Sequence, residues 1–283
     1  MACAALRPGA EIVAVDAMQV YRRMNIGTAK PSAADLQAVP HHGIDLAEPS
    51  QDFAVTDFAS AAHGALADIA QRGGRPVLVA GTGLYLRALT DPMEIPGRWP
   101  DVRASLEDRA ANEGSAVLHA ELAAKDPVAA ARMEPSNGRR VVRALEVVIG
   151  SGRPFSSFGP GLDHYPSVPF LQVGLRWSRE ALTTRIAARV HRMMAEGLLG
   201  EVQALLAEPT GLSRTARQAL GYKELIEHLQ GAMSLEESVD TIIRRTRRFA
   251  VRQERWFRRD PRIRWVSIEH DPVAEVLPVV LTT

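Results

Sequence analysis

Apolar positions fall along the chain in two kinds of pattern. Glu11–Val15, Pro76–Ala80, Phe170–Trp177 and Ile263–Ile268 are short apolar runs, each about as long as a buried strand. Between them lie amphipathic stretches of helical period. Val55–Arg72 is one, closed by Gly73-Gly74, and Ser178–Glu196 is another, with Ser178 placed to cap it and Gly197 to stop it. Strands alternating with helices predict an α/β fold around a mainly parallel sheet covered on both faces. The middle of the chain differs. From Arg98 to Tyr165 the pattern is helical with no strand, entered past Pro92, Pro96 and Pro100 and left through a Gly/Pro/Ser-rich stretch, Ser151–Pro169. The expected organisation is therefore a core of residues 1–97 and 166–283 with a helical insertion over 98–165.

The longest helical pattern runs from Ser234 to about Arg259. Ile242, Phe249 and Trp256 recur at seven-residue spacing with Ile243, Ala250 and Phe257 beside them, while Arg244, Arg248, Arg252, Arg255 and Arg259 fall on the opposite face. Net charge is only +1 over 283 residues, but Thr241–Arg264 holds ten arginines against Glu254 and Asp260, a local excess of +8. A solvated helix face normally mixes signs. One that does not is suited to phosphate, so this ridge is read as a nucleic-acid contact. The single cysteine, Cys3, leaves no intrachain disulfide and fits a reducing cytoplasm. No stretch approaches the roughly 20 apolar residues of a membrane span.

Four segments carry candidate chemistry. Asp16 follows directly on a strand, where open α/β sheets bind ligands, and is suited to accept a proton, to hold a metal or simply to cap a turn. Behind it come Ala17, Met18 and Gln19, whose amide can pair an adenine edge. Lys30, in Gly27-Thr28-Ala29-Lys30-Pro31, is one of three lysines, and in an arginine-using chain it suggests a point charge for phosphate. Gly81-Thr82-Gly83 follows a strand and opens a helix, a place where backbone N–H groups attract anions, or simply a tight turn. Arg139 or Arg140 shares with Arg143 a helix face fit for an RNA backbone or for pairing with Glu146. In Gln218-Ala219-Leu220-Gly221-Tyr222-Lys223 a tyrosine can stack on a base or pack in a core. There is no Gly-x-x-x-x-Gly-Lys-Ser/Thr loop, no zinc-spaced histidine pair and no nucleophile elbow in the 283 residues.

Taken in order, these blocks resemble the tRNA dimethylallyltransferase (tRNA isopentenyltransferase) family. The resemblance runs through Glu11–Pro31, His41–Asp45, Ala80–Tyr85, Arg139–Val147, Leu182–Val202, Leu220–Glu224 and Thr246–Trp256. It implies a P-loop-kinase-like α/β core and a helical insertion that grips the anticodon stem-loop. The implied reaction moves dimethylallyl from dimethylallyl diphosphate to N6 of adenosine beside the anticodon, with Mg²⁺. By resemblance Asp16 and Thr82 are catalytic. Asp16, Ala17, Met18, Gln19, Arg103, Arg139, Arg140, Arg143, Gln218, Gly221, Tyr222, Lys223, Arg252 and Arg255 contact tRNA, and Lys30 and Thr82 face the diphosphate. The expected protein is a cytoplasmic monomer. The family also opens with a strand and a Gly-Pro-Thr-x-x-Gly-Lys-type loop. Here the Ala/Leu run ending at Pro8-Gly9 reads as the close of the helix after that loop, so the 283 residues alone are expected to leave a gap in the sheet and to transfer poorly. Two rival readings are a non-catalytic tRNA-binding remnant and a small-molecule kinase.

Overall fold

The computed structural model describes residues 8–281. Cys3 and the Ala/Leu run before Pro8 lie outside them. Strand β1 (Ala10–Val15) is central in a three-stranded sheet, paired in parallel with β2 (His41–His42) and β3 (Arg75–Ala80) in the order β2-β1-β3. Strands β4 (Gln172–Trp177) and β5 (Ile263–Ile268) form a second parallel pair. The four apolar runs are thus strands and all their pairings are parallel. The single sheet expected from them is in two pieces, because β3 and β4 each carry only one hydrogen-bonded neighbour among the described residues. Covering on both faces also fails in part. Val79 on β3 and Leu175 on β4 are 54% and 48% exposed.

The chain divides into two units, Met1–Thr90 with Ser167–Thr283, and Asp91–Pro166. In the first, helix Val55–Gln71 buries Phe58, Ala62 and Ile69 against β1 residues Val13 and Val15. The same core takes Val190 from helix Arg179–Ala195, Leu198 and Val202 from helix Leu198–Leu206, Leu225 from helix Tyr222–Leu229, and Ile242 and Ile243 from helix Leu235–Phe257. Caps fix the starts of two of these helices. The Ser178 hydroxyl accepts the Ala181 N–H, and Ser234 makes a reciprocal box with Glu237. The second unit is helical, with no strand among its residues, and packs Leu106, Leu118, Leu122, Val141 and Leu145 into its own core.

The Leu235–Phe257 helix departs from its sequence reading in detail. Phe249, expected in the apolar stripe, is 40% exposed. Arg245, on the buried side, donates to the fully buried Glu224 at 2.6 Å. A buried carboxylate needs a cation more than the stripe needs an unbroken apolar edge.

Candidate functional site

Strand register builds the site. Val15 pairs with Ala80, so β1 and β3 end level and Asp16 and Gly81 leave the sheet side by side. Asp16 turns the chain back on itself: its Oδ1 accepts the N–H of Met18 at 2.7 Å and of Gln19 at 3.2 Å. One carboxylate oxygen is thereby committed to the backbone. The other, Oδ2, lies toward Gly81, 3.5 Å from the position a side chain there would take. Thr82 closes the same rim, its Oγ1 accepting the Ala17 N–H at 3.4 Å. Both Asp16 and Thr82 are partly exposed.

The long helix Leu235–Phe257 holds this rim from the other side. Gln253 Nε2 donates to the Gly81 carbonyl at 2.6 Å. The Trp256 indole lies so close over Gly83 that an added Cβ would stand 1.9 Å from the ring nitrogen. Glycine at 83 is therefore needed for close approach. Gly83→Ala is expected to cost about 1–3 kcal/mol through overpacking. Gly64→Ala, at an open position inside helix Val55–Gln71, is expected to stabilise by up to about 1 kcal/mol. Thermal unfolding of the two variants checks this, and equal melting temperatures would show that the Trp256 contact is not tight.

With the geometry in place, comparison with known proteins decides the family. The family model for IPP transferase matches residues 19–260. The chain belongs to the IPP transferase family. A relative named tRNA dimethylallyltransferase, from Kineococcus radiotolerans, is 46% identical over 281 residues, covering 96% of this chain and 88% of its own. The crystal structure of the full-length tRNA isopentenylpyrophosphate transferase from Bacillus halodurans superposes with a TM-score of 0.68 at 36% identity, covering 99% of this chain and 90% of that one. A eukaryotic dimethylallyltransferase, solved acting on tRNA, gives a TM-score of 0.76 at 25% identity over 94% of this chain and 69% of that one.

Within this IPP transferase chain, several residues singled out in the sequence are engaged by other parts of the protein. Lys30 is the clearest case. Its ammonium donates to the Tyr21 carbonyl at 2.5 Å, to Asn25 Oδ1 at 3.1 Å and to Asp45 Oδ1 at 2.6 Å, with the side chain only 5% exposed. All three donors point to the Asp16–Asp45 segment, so Lys30 braces this loop. Gln19 donates its amide to the carbonyls of Thr28 at 3.0 Å and Ala29 at 3.2 Å, so only its carbonyl oxygen remains for a base. Tyr222 is fully buried, with its hydroxyl on Glu201 at 2.5 Å. Burial, and then Glu201, push that phenol up from its ordinary value. It is a core tyrosine and offers no stacking face. Gly221 is buried, and its N–H donates to Glu224 at 2.9 Å. Gln218 is exposed but receives the Lys223 ammonium at 3.3 Å, and Lys223 also lies 4.0 Å from Glu227.

In the helical unit, Arg103 and Arg143 converge on Glu146, which is 1% exposed. Glu146 Oε1 also takes the Trp99 N–H at 2.9 Å, and Arg143 donates to the Pro96 carbonyl at 2.9 Å. These two arginines hold the entrance of the unit together. Arg139 and Arg140 are exposed, as are Arg252 and Arg255 on the long helix.

Two features escaped the sequence reading. Glu201 receives the N–H groups of Asn25 and Ile26 at 2.9 Å each and of Gly27 at 3.3 Å, as well as the Tyr222 hydroxyl. It lies in the Leu182–Val202 block, but a glutamate at a helix start reads as a partner for the helix dipole. The second is a cavity of about 530 Å³ lined by Asn25, Lys30, Asp45, Arg189, Arg192 and Glu196, among others. Desolvation at the cavity wall, then the charges of Arg185 and Arg192, push the Arg189 guanidinium below its usual range, although the residue as a whole is exposed. Its only signal in the sequence was the Arg185-Ile186 and Arg189-Val190 repeat.

Proposed function

We propose that this chain prenylates tRNA, moving a dimethylallyl group from dimethylallyl diphosphate to N6 of an adenosine in the anticodon stem-loop, with Asp16 as general base. The supporting observation is the Asp16 carboxylate. One oxygen is tied down by two backbone N–H groups and the other is left toward Gly81, beside Thr82 and beneath a helix that carries exposed arginines. The relatives' names bring tRNA and the dimethylallyl group to this site.

The chemistry assigns each part a task. An adenine amino nitrogen is a weak nucleophile because its lone pair is delocalised into the ring. Asp16 Oδ2 takes one of its protons as the carbon–nitrogen bond forms, a contribution of roughly 10²–10⁴ in rate. The allylic carbon becomes cationic as its bond to oxygen lengthens, and charge grows on the departing diphosphate. The Thr82 hydroxyl and the Arg189–Arg192 wall stand as its partners. The target base leaves its stack to reach the rim, while Arg252, Arg255, Arg139 and Arg140 hold the backbone by charge. Among the described residues no group of three or more His, Cys, Asp or Glu could hold a metal. The Mg²⁺ that the resemblance implies would arrive on the diphosphate, as this ion commonly does. We place the protein in the cytoplasm as a single chain. Among the described residues no helix is long and apolar enough to cross a membrane.

The test is labelled dimethylallyl diphosphate with tRNA and the chain in excess over tRNA, so that slow transfer still registers. Label appearing on an adenosine beside the anticodon is the expected result. Tight tRNA binding with no label on the RNA would replace the reading with a non-catalytic tRNA-binding protein.

A further inference from the structure

A groove of about 470 Å³ lies where the carboxyl end of β4 meets the last turns of the Leu235–Phe257 helix, lined by Arg176, Trp177, Arg179, Glu254, Arg255 and Arg258 among others. Four guanidinium groups meet one carboxylate there, and that carboxylate is already matched. Arg176 Nε lies 3.3 Å from Glu254 Oε1, and the Arg176 guanidinium stacks 5.0 Å from the centre of the Trp265 ring. Arg179, Arg255 and Arg258 have no ion-pair partner among the described residues, and all three are exposed. Three unmatched cations converging on one concave surface repel one another unless an anion enters. Arg179 is also the first residue of the 17-residue helix Arg179–Ala195, so the first-turn N–H groups that the Ser178 cap leaves unpaired add positive charge at the same spot, beside Glu180.

We propose that this groove is a phosphate-binding extension of the RNA track, in which Arg179 and Arg258 carry the backbone of the bound RNA from the arginine face of the long helix onto the amino end of the Arg179–Ala195 helix. The class of ligand follows from size and continuity. The groove is much larger than a single phosphate group, and Arg255 belongs both to it and to the arginine ridge. Its contacts would be ionic and blind to sequence, and would position the RNA without selecting it. The inference rests on the tRNA reading above but not on the prenyl transfer.

The experiment is tRNA binding by the full chain across a salt series. It compares the unmodified protein with Arg179→Glu, Arg179→Lys, Arg258→Glu and a control, Arg75→Glu, an exposed arginine at the start of β3. For Arg179→Glu and Arg258→Glu the expected outcome is roughly ten-fold weaker binding at low salt, with the slope of log affinity against log salt shallower by about 1. Arg179→Lys keeps near-normal affinity because a point charge suffices for phosphate, and Arg75→Glu binds within about two-fold. Unchanged melting temperatures exclude misfolding, and the two glutamate variants test opposite walls independently. Inorganic pyrophosphate, titrated against the same proteins, separates the two phosphate sources. If its binding falls in Arg179→Glu while tRNA binding does not, the groove is a small-anion site and the proposal is wrong. Wild-type affinity and slope in both glutamate variants overturn it as well. A chain that binds tRNA with these signatures but transfers no label would refute the prenylation reading and leave the groove standing.

Discussion

Asp16→Asn is expected to slow dimethylallyl transfer by roughly 10²–10⁴-fold, the usual contribution of a positioned general base, with melting temperature and tRNA affinity close to those of the unmodified chain. The separation is possible because the two carboxylate oxygens have different jobs. Oδ1 accepts the Met18 and Gln19 N–H groups that shape the turn after β1, and an asparagine carbonyl accepts them equally well. Oδ2 is the one left toward Gly81, and there the amide offers N–H donors where the reaction needs a proton acceptor. Single-turnover rates at saturating donor and bound tRNA measure the loss. A variant that kept more than about a tenth of the rate would remove Asp16 from the proton transfer. A variant that lost rate, tRNA affinity and melting temperature together would show that the side chain serves the turn alone.

The largest stability effect is expected at Glu201. Its carboxylate receives three successive backbone N–H groups, from Asn25 to Gly27, and the hydroxyl of a fully buried tyrosine. Leaving a buried donor unsatisfied costs about 1–3 kcal/mol. Because the loop is partly exposed, water replaces some of these bonds, so the expected cost of Glu201→Ala is on the order of 3 kcal/mol. For a chain of this size that corresponds to a melting temperature lower by about 5–10 °C. Tyr222→Phe removes one of the four bonds and is expected to cost about 1 kcal/mol. Gly27 tightens the arrangement, since an added Cβ would stand 2.4 Å from the Tyr222 ring. The consequence reaches the site: Gln19 is anchored on the carbonyls of Thr28 and Ala29, at the end of the loop that Glu201 holds. Transfer and stability should therefore fall together in Glu201→Ala. A melting temperature unchanged within about 2 °C would show that the loop is held by other contacts.

The sequence disclosed most about the parts whose information is local. Strands read as short apolar runs, so β1, β3, β4 and β5 were found within about two residues, and Asp16 was noticed because it ends one of them. Ser178, Gly197 and Ser234 announced helix ends through short-range capping. What stayed hidden depends on partners distant in the chain. Nothing in Gln253 indicates that its amide ends on the Gly81 carbonyl, 172 positions away. The scarcity of lysine drew attention to Lys30 but could not show Asp45, Asn25 and Tyr21 closing around it. Arginine spacing likewise cannot separate Arg139 and Arg140, which reach solvent, from Arg143, which turns onto a buried glutamate at the next position on its helix face. Resemblance carried the family but could not show the partners of individual side chains for the same reason: a motif fixes where the backbone goes more firmly than which polar group is left over.

The central claim is that the free oxygen of Asp16 removes a proton from the amine of the target base. Its sharpest test is a tRNA in which that exocyclic amine is replaced by a thiol, a group that ionises in water near neutral pH and needs no base. The quantity to measure is the ratio of single-turnover rates, unmodified chain over Asp16→Asn, on the amine and on the thiol substrate. The account predicts a ratio of about 10² or more on the amine that collapses to within a few-fold on the thiol. The same large ratio on both substrates would contradict it, because the carboxylate would then be needed for something other than the proton.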